Sequence, residues 1–128
     1  RKEMRHSDVL ARFGGEEFIA LLEDTQLQDS LVIAERIRCA IQKQYIYVKP
    51  NHAIRFTISI GIAELESHTQ TLEDLIKQAD IALYQAKKTG RNRIEVYHPD
   101  ILDQAKPATD NPWNVFKSNT QPVQSATN

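Results

Sequence analysis

Apolar and polar positions alternate along the chain in a way that predicts several β-strands. Two apolar segments, Val9–Phe13 and Phe18–Leu22, flank a pair of glycines, which is the pattern of a β-hairpin. The second segment is continuously apolar, which predicts a strand covered on both faces. In "IRFTISIGI", Ile54–Ile62, an isoleucine or phenylalanine occupies every second position and predicts a third strand. A short last strand is predicted over Arg93–Tyr97 by the same alternation.

Two helices are predicted between these strands. The first is predicted to be capped by Thr25, because Gln28 follows at capping-box spacing, and to run to about Tyr45. The second is predicted to begin after Thr71 and to close at Gly90, with apolar residues at helical spacing between them. The order strand, strand, helix, strand, helix, strand predicts an α+β fold, with helices packed on a mainly antiparallel sheet.

The length and the composition limit the domain organisation. The chain has 128 residues, which is enough for one domain. After His98 the sequence is rich in Pro, Asn, Thr, Ser and Gln and has no periodicity. We therefore predict one domain over residues 1–98 and a disordered tail over residues 99–128.

Charge and cysteine content exclude several classes of protein. The net charge of −1 argues against a generally basic surface that binds nucleic acid. Cys39 is the only cysteine, which is typical of a reducing cytoplasm. No apolar run approaches the roughly 20 residues that span a bilayer. We expect a cytoplasmic protein whose segment here contacts neither nucleic acid nor a membrane.

The turn between the first two predicted strands carries two adjacent acids, Glu16 and Glu17, directly after Gly14 and Gly15. Neighbouring carboxylates repel each other, so a cation is expected beside them. Glycines let a phosphate chain approach the backbone, and carboxylate oxygens hold Mg²⁺ together with substrate phosphates. The alternative is an ordinary hairpin with glycines at positive φ and exposed glutamates.

Two further stretches carry charge that a phosphate or nucleotide site would use. In "AKKTGRNR", Lys87 and Arg91 straddle Gly90, and beside the acidic turn they would neutralise a triphosphate. The alternative is that they stay solvated at the negative end of the helix. In "RHSD", Arg5 and Asp8 have the charges to read a purine edge, or they form a surface ion pair of little energy.

Taken together, these stretches resemble the GGDEF family, the bacterial diguanylate cyclases. The matching segments are the turn Gly14–Phe18, the "RHSD" before it, "TISIGIA" (Thr57–Ala63) and "ADIALYQAKKTGRN" (Ala79–Asn92), all in the family's order. The resemblance implies a ferredoxin-like or palm-type antiparallel sheet with helices packed on it. It also implies a reaction in which two GTP, one on each subunit of a homodimer, condense to cyclic di-GMP and pyrophosphate.

The resemblance implies a role for each matching residue. Two acids would bind Mg²⁺ or Mn²⁺ and act in catalysis: Glu16 and Glu17. Four residues would contact the phosphates of GTP: Gly14, Gly15, Lys87 and Arg91. Three residues would form the inhibitory RxxD site, where cyclic di-GMP binds: Arg5, Asp8 and Arg36.

The sequence departs from the family at its start. In the family, a strand and a helix precede the RxxD motif and carry another metal-binding Asp and the Asn and Asp that recognise guanine. Here the motif begins at the fifth residue, Arg5, so the first strand and helix of the domain are missing. We expect an N-terminally incomplete domain of a larger protein with an upstream sensory or regulatory domain, inactive as this fragment alone.

Two other interpretations are open. The runner-up is a catalytically silent GGDEF module that binds cyclic di-GMP through Arg5 and Asp8. A purely structural role, through dimerisation or the tail, is the third.

Overall fold

The structure, a computed structural model, describes residues 4–66 and 71–104, without the side chains of residues 102–104. Over these residues the elements are β1 (Val9–Phe13), β2 (Glu17–Leu21), α1 (Leu27–Gln42), β3 (Ile46–Lys49), β4 (His52–Ile54), β5 (Ile60–Ile62), α2 (Leu72–Lys88) and β6 (Ile94–Val96). The predicted α+β class is confirmed, and the predicted order holds with one added hairpin, β3–β4. Neither helix of the described part is long and apolar enough to cross a membrane.

Strands β1 and β2 form the predicted antiparallel hairpin, with Phe13 opposite Glu17 at its closed end. The prediction that the second strand is covered on both faces is wrong. Phe18 is 64% exposed and Leu21 is 40% exposed. Among the described residues, β2 pairs with β1 alone and packs extensively against neither helix, so much of its apolar surface faces solvent.

The start of α1 differs from the predicted capping box. The N-cap residue is Gln26, whose side chain makes no capping hydrogen bond. Thr25 instead donates its hydroxyl to the carbonyl oxygen of Glu23, 2.8 Å away, so its side chain is turned back from the helix. The first amide of the helix, Leu27 N–H, donates to Glu64 Oε1 at 3.3 Å. A carboxylate from a distant segment thus takes over part of the capping.

The first helix was predicted to run to about Tyr45, and one strand was predicted over Ile54–Ile62. The helix ends slightly earlier, and the prediction of a single strand is wrong. The helix ends at Gln42, and β3 and β4 then form an antiparallel hairpin around Asn51, which has a φ of 68°. Of the predicted strand Ile54–Ile62, only its first residue and its last three belong to paired strands. Because β4 pairs with β3 and β5 pairs with β6, the chain between them leaves one sheet before it enters the other.

The core lies where α2 packs against β5 and β6. These two strands are parallel, with Ile60 opposite Ile94, and α2 is the connection between them. Two alanines of α2, Ala82 and Ala86, are fully buried. Small side chains on the helix face let the helix lie close to the strands, which brings its C-terminal end into a defined position.

Helix α2 begins and ends as predicted. Thr71 Oγ1 accepts a hydrogen bond from Asp74 N–H at 3.1 Å, and Asp74 Oδ2 accepts one from Thr71 N–H at 3.3 Å, which completes a capping box. After the C-cap residue Thr89, Gly90 has a φ of 128°, a conformation that favours glycine.

Secondary structure continues past residue 98, the predicted end of the domain. Pro99–Gln104 form a short 3₁₀-helix that contacts α2. The first residues of the predicted disordered tail are therefore helical. The rest of that prediction concerns residues outside the described part of the chain.

Candidate active site

The glycine–glutamate turn closes the β1–β2 hairpin. Gly14 has a φ of 60°, and its carbonyl oxygen accepts a hydrogen bond from Glu17 N–H at 3.2 Å, as in a β-turn. Arg12 Nη2 donates to the carbonyl oxygen of Gly15 at 2.9 Å and braces the turn from the first strand. Glu16 lies exposed at the tip. Arg12 was not assigned a role from the sequence, although it lies only two residues before Gly14.

The second glycine of the turn has no explanation within the described protein. A Cβ atom built on Gly15 meets nothing within 4 Å, and the backbone there is not left-handed. Neither packing nor backbone strain therefore requires a glycine at this position. An open backbone is what a ligand that lies against the main chain requires.

The C-terminal end of α2 lies beside this turn. Lys87 Nζ is 3.7 Å from Glu17 Oε1, and the two side chains are 39% and 32% exposed. The acidic turn and the basic helix end are 70 residues apart in sequence yet form one ion pair. The contact joins the acids and one of the two predicted phosphate ligands in a single partly exposed site.

Arg91 follows Lys87 by four residues and comes directly after Gly90, the residue that follows the helix cap. Its N–H donates to the carbonyl oxygen of Ala86 at 2.9 Å. This is the hydrogen bond of a Schellman motif that spans more residues, from the second residue after the cap back to the third before it. Arg91 and Asn92 both adopt positive φ, 62° and 47°. The side chain of Arg91 is exposed. Its backbone has a conformation that is unusual for a residue other than glycine and that neighbouring residues must stabilise.

The residues of the predicted inhibitory site form a local loop. Asp8 Oδ2 accepts a hydrogen bond from the backbone N–H of Arg5 at 2.6 Å, and the Arg5 carbonyl accepts one from Asp8 N–H at 3.2 Å. Asp8 Oδ1 is buried and has no hydrogen-bond partner among the described residues. The two residues line an open hollow of about 440 Å³ together with Met4, His6 and Leu10.

Arg36 is placed elsewhere. It lies exposed on α1 and lines a different shallow hollow, with Val32 and Cys39 among its neighbours. The structure therefore brings Arg5 and Asp8 together in one hollow and puts Arg36 in another.

The acids of the turn suit part of a Mg²⁺ site. Carboxylate oxygens are the ligands that Mg²⁺ prefers, and it is commonly held by one or two of them together with substrate phosphates. In residues 4–66 and 71–104, no group of three or more His, Cys, Asp or Glu side chains is arranged to hold a metal ion. The pair Glu16 and Glu17 is thus compatible with a metal ion that a bound phosphate helps to hold.

Comparison with known proteins identifies the family of this chain. The family described as "Diguanylate cyclase, GGDEF domain" matches residues 1–93. Diguanylate cyclase DgcM of Escherichia coli K12 is 44% identical over 90 residues, which cover 70% of this chain and 21% of that relative. The chain thus spans about a fifth of that protein's length.

Solved structures show the same fold. The GGDEF domain of TpbB, or YfiN, from Pseudomonas aeruginosa matches with a TM-score of 0.73 at 31% identity, over 80% of this chain and 60% of that one. The GGDEF domain of DgcB from Caulobacter crescentus, in complex with c-di-GMP, matches with a TM-score of 0.70 at 27% identity, over 74% of this chain and 56% of that one. The chain therefore belongs to the GGDEF family of diguanylate cyclase domains.

Proposed function

We propose that this chain carries the catalytic turn and the phosphate-binding helix end of a diguanylate cyclase, which condenses two GTP to cyclic di-GMP and two pyrophosphates. The observation that supports this most directly is the ion pair between Lys87 and Glu17. In this ion pair the Lys87 ammonium group, which we assign to the phosphates of GTP, lies beside the acidic turn, as a nucleotidyl transfer site requires. We further propose that the reaction takes place in the cytoplasm, in a homodimer controlled by an upstream sensory or regulatory domain.

The chemistry is an in-line displacement at phosphorus. The 3′-hydroxyl oxygen of one GTP gives its proton to water and forms a bond to the α-phosphorus of the other, and the bond from that phosphorus to the oxygen that bridges the α- and β-phosphates breaks, so that pyrophosphate leaves. The same displacement at the other α-phosphorus closes the ring and releases the second pyrophosphate. Lys87 and Arg91 neutralise the charge on the phosphates, and Gly15 leaves room for them along the main chain. Mg²⁺ or Mn²⁺, when bound by Glu16, Glu17 and phosphate oxygens, supplies positive charge to the attacking and leaving oxygens.

Glu17 has a second task in this proposal. Because its carboxylate already lies 3.7 Å from Lys87 Nζ, it orients the lysine toward the turn before substrate binds. Glu16, exposed at the tip of the turn, is then the acid most directly committed to the metal ion. The turn carries two acids because Glu16 mainly binds the metal ion, while Glu17 also orients Lys87.

The activity is tested on the full-length protein with GTP and Mg²⁺, with separation of the products by chromatography. We expect cyclic di-GMP and pyrophosphate in a ratio of one to two, with no product when the metal is chelated. Binding of cyclic di-GMP by a protein that forms no product from GTP would favour the silent module instead.

Replacement of Gly15 by alanine is expected to leave the melting temperature unchanged and to raise the KM for GTP about tenfold, because the added methyl group obstructs one phosphate hydrogen bond. The stability is expected to be retained because the new Cβ atom meets no protein atom within 4 Å. Thermal unfolding and steady-state kinetics on the same sample separate the two effects. An unchanged KM would show that the phosphates of GTP do not lie against Gly15.

The second candidate function, a module that binds cyclic di-GMP, is favoured by one feature of the Arg5–Asp8 loop. Asp8 Oδ1 is buried without a hydrogen-bond partner among the described residues, beside an open hollow. A buried carboxylate oxygen without a partner is costly, and a purine edge that donates hydrogen bonds would satisfy it. In an active cyclase, the same loop would act as the inhibitory site.

Replacement of Arg5 by alanine is expected to weaken binding of cyclic di-GMP about tenfold or more, since one charge-assisted contact to the ligand is lost. The initial rate of GTP turnover, measured before product accumulates, is expected to stay near that of the unchanged protein. Calorimetric titration with cyclic di-GMP and an initial-rate assay are the two measurements. An unchanged affinity for cyclic di-GMP would show that Arg5 does not contact this ligand and that Arg5 and Asp8 form an ordinary surface loop.

A further inference from the structure

Arg38 of α1 makes an unusual number of directed contacts for a residue on a helix surface. Its Nε and Nη2 atoms donate to the two carboxylate oxygens of Glu35, at 2.8 and 2.6 Å. Its Nη1 atom donates to Gln42 Oε1 at 3.0 Å and to Asn92 Oδ1 at 2.7 Å. The side chain is only 15% exposed. The guanidinium group is thus held in one orientation by residues of its own helix and reaches a residue 54 positions away.

Glu35 fixes the orientation of this guanidinium group. The two parallel hydrogen bonds form the bidentate arrangement that is specific to arginine and carboxylate. The hydrogen bonds from Arg38, together with one from the Cys39 thiol, lower the pKa of Glu35 from 4.5 to about 2. Glu35 therefore stays charged across the physiological pH range and keeps Nη1 of Arg38 directed toward Asn92.

Asn92 is the residue that Arg38 reaches, and it lies in the loop directly after α2. Its backbone N–H donates to Ser59 Oγ at 3.1 Å, so the loop is held from the segment before β5 as well. Both Arg91 and Asn92 have positive φ, a conformation that residues other than glycine keep only when the surroundings hold them in it. The hydrogen bonds that Asn92 makes with Arg38 and Ser59 stabilise this conformation.

We propose that Arg38 is a positioning residue for Arg91: through Asn92 it holds the loop after α2 so that the Arg91 guanidinium group faces the phosphates. The inference rests on the proposed function, because the task it assigns to Arg91 is phosphate binding. Arg91 and Asn92 are adjacent, so a change in the backbone of one redirects the side chain of the other. Without the Arg38 contact, Asn92 Oδ1 loses its charged donor and the loop leaves the left-handed conformation for part of the time.

The structural part of the proposal is tested by hydrogen exchange on the full-length protein. In Arg38→Met, peptides that cover the loop after α2 are expected to exchange about tenfold faster, as one charge-assisted hydrogen bond is lost. Arg55→Met is the matched control, because Arg55 also donates to α1, at the Gln42 carbonyl oxygen, and stacks on Tyr45. It should leave exchange in the loop unchanged. Equal protection of the loop in both variants would overturn the proposal.

The functional part is tested by a double-mutant cycle with Arg91. Arg38→Met is expected to raise the KM for GTP about tenfold, and to raise it no further when Arg91 is already methionine, since the effect passes through Arg91. A merely structural role would give additive effects and would overturn the proposal. Asn92→Gly, which allows the positive φ without steric cost and removes the side chain that accepts from Arg38, should reproduce the rise in KM. It serves as the second variant if Arg38→Met folds poorly.

The two proposals fail in different ways. If the unchanged full-length protein forms no cyclic di-GMP, the proposed function is contradicted, while hydrogen exchange still decides whether Arg38 holds the loop. If the protein is active and the cycle is additive, the proposed function stands and the role of Arg38 is overturned.

Discussion

Replacement of Glu16 by glutamine is expected to reduce the turnover of GTP by about 10²–10³-fold, the loss that follows removal of one group that stabilises charge in the transition state. Glutamine keeps the shape of the side chain and removes the negative charge that a divalent cation requires. Glu16 lies exposed at the tip of the turn, so its replacement should leave the fold intact. The measurement is the initial rate of cyclic di-GMP formation at saturating GTP and Mg²⁺, with the melting temperature recorded for the same sample.

Glu23→Gln is the matched control for this variant. Glu23 is also an exposed acid shortly after β2, and the same charge is removed away from the turn. Its turnover should equal that of the unchanged protein. Full activity of the Glu16 variant would exclude a catalytic role for Glu16, the residue on which the proposed function of the turn mainly depends.

Replacement of Gly61 by alanine is expected to lower the free energy of unfolding by about 3 kcal/mol or more, at the upper end of what overpacking of a core costs. A Cβ atom on Gly61 would overlap the backbone carbonyl oxygen of Ala79 and the backbone amide of Leu83, and it would lie 2.8 Å from Leu83 Cα. These are main-chain atoms of α2, so no side-chain rotation relieves the overlap. The helix has to move away from β5, and that opens the core around Ala82 and Ala86.

Chemical and thermal unfolding of the full-length protein measure this loss, with Gly15→Ala as the control of identical chemistry. The control adds the same methyl group in open space, so its stability should differ by no more than about 0.5 kcal/mol. Stability of the Gly61 variant within the same range would show that α2 does not lie this close to β5. The position of Lys87 at the acidic turn depends on that packing, so the Gly61 variant should also lose activity if any of it remains folded.

Local patterns were enough to predict much of the fold. The β1–β2 hairpin followed from two apolar segments around glycines, and both ends of α2 followed from Thr71 and Gly90. Each of these features depends on residues close together in the chain, which is why a single sequence predicts it. The predicted cap at Thr25 failed because the hydroxyl bonds backwards to Glu23 and a carboxylate from a distant residue, Glu64, meets the first helical amide.

The strand predicted over Ile54–Ile62 shows the limit of such patterns most clearly. Its alternation was regular, yet its two ends belong to different sheets, one paired with β3 and the other with β6. Alternation of apolar and polar residues indicates which side chains lie on the same face of a strand, but it does not indicate which strand pairs with it. The same limit applies to Phe18 and Leu21, whose apolar character predicted burial that the described residues do not supply.

The amino-acid sequence by itself determined the family resemblance, the acids at the hairpin tip and the cations at the end of the second helix, because these are properties of short segments. Only the tertiary structure decided that Lys87 meets Glu17 and that Arg38 reaches Asn92, across 70 and 54 positions of the chain. It also showed why Gly61 is a glycine, since the reason is the backbone of a helix that begins eleven residues later. Contacts between distant residues are set by the packing of whole elements, and that packing depends on the volume and shape of every side chain between them.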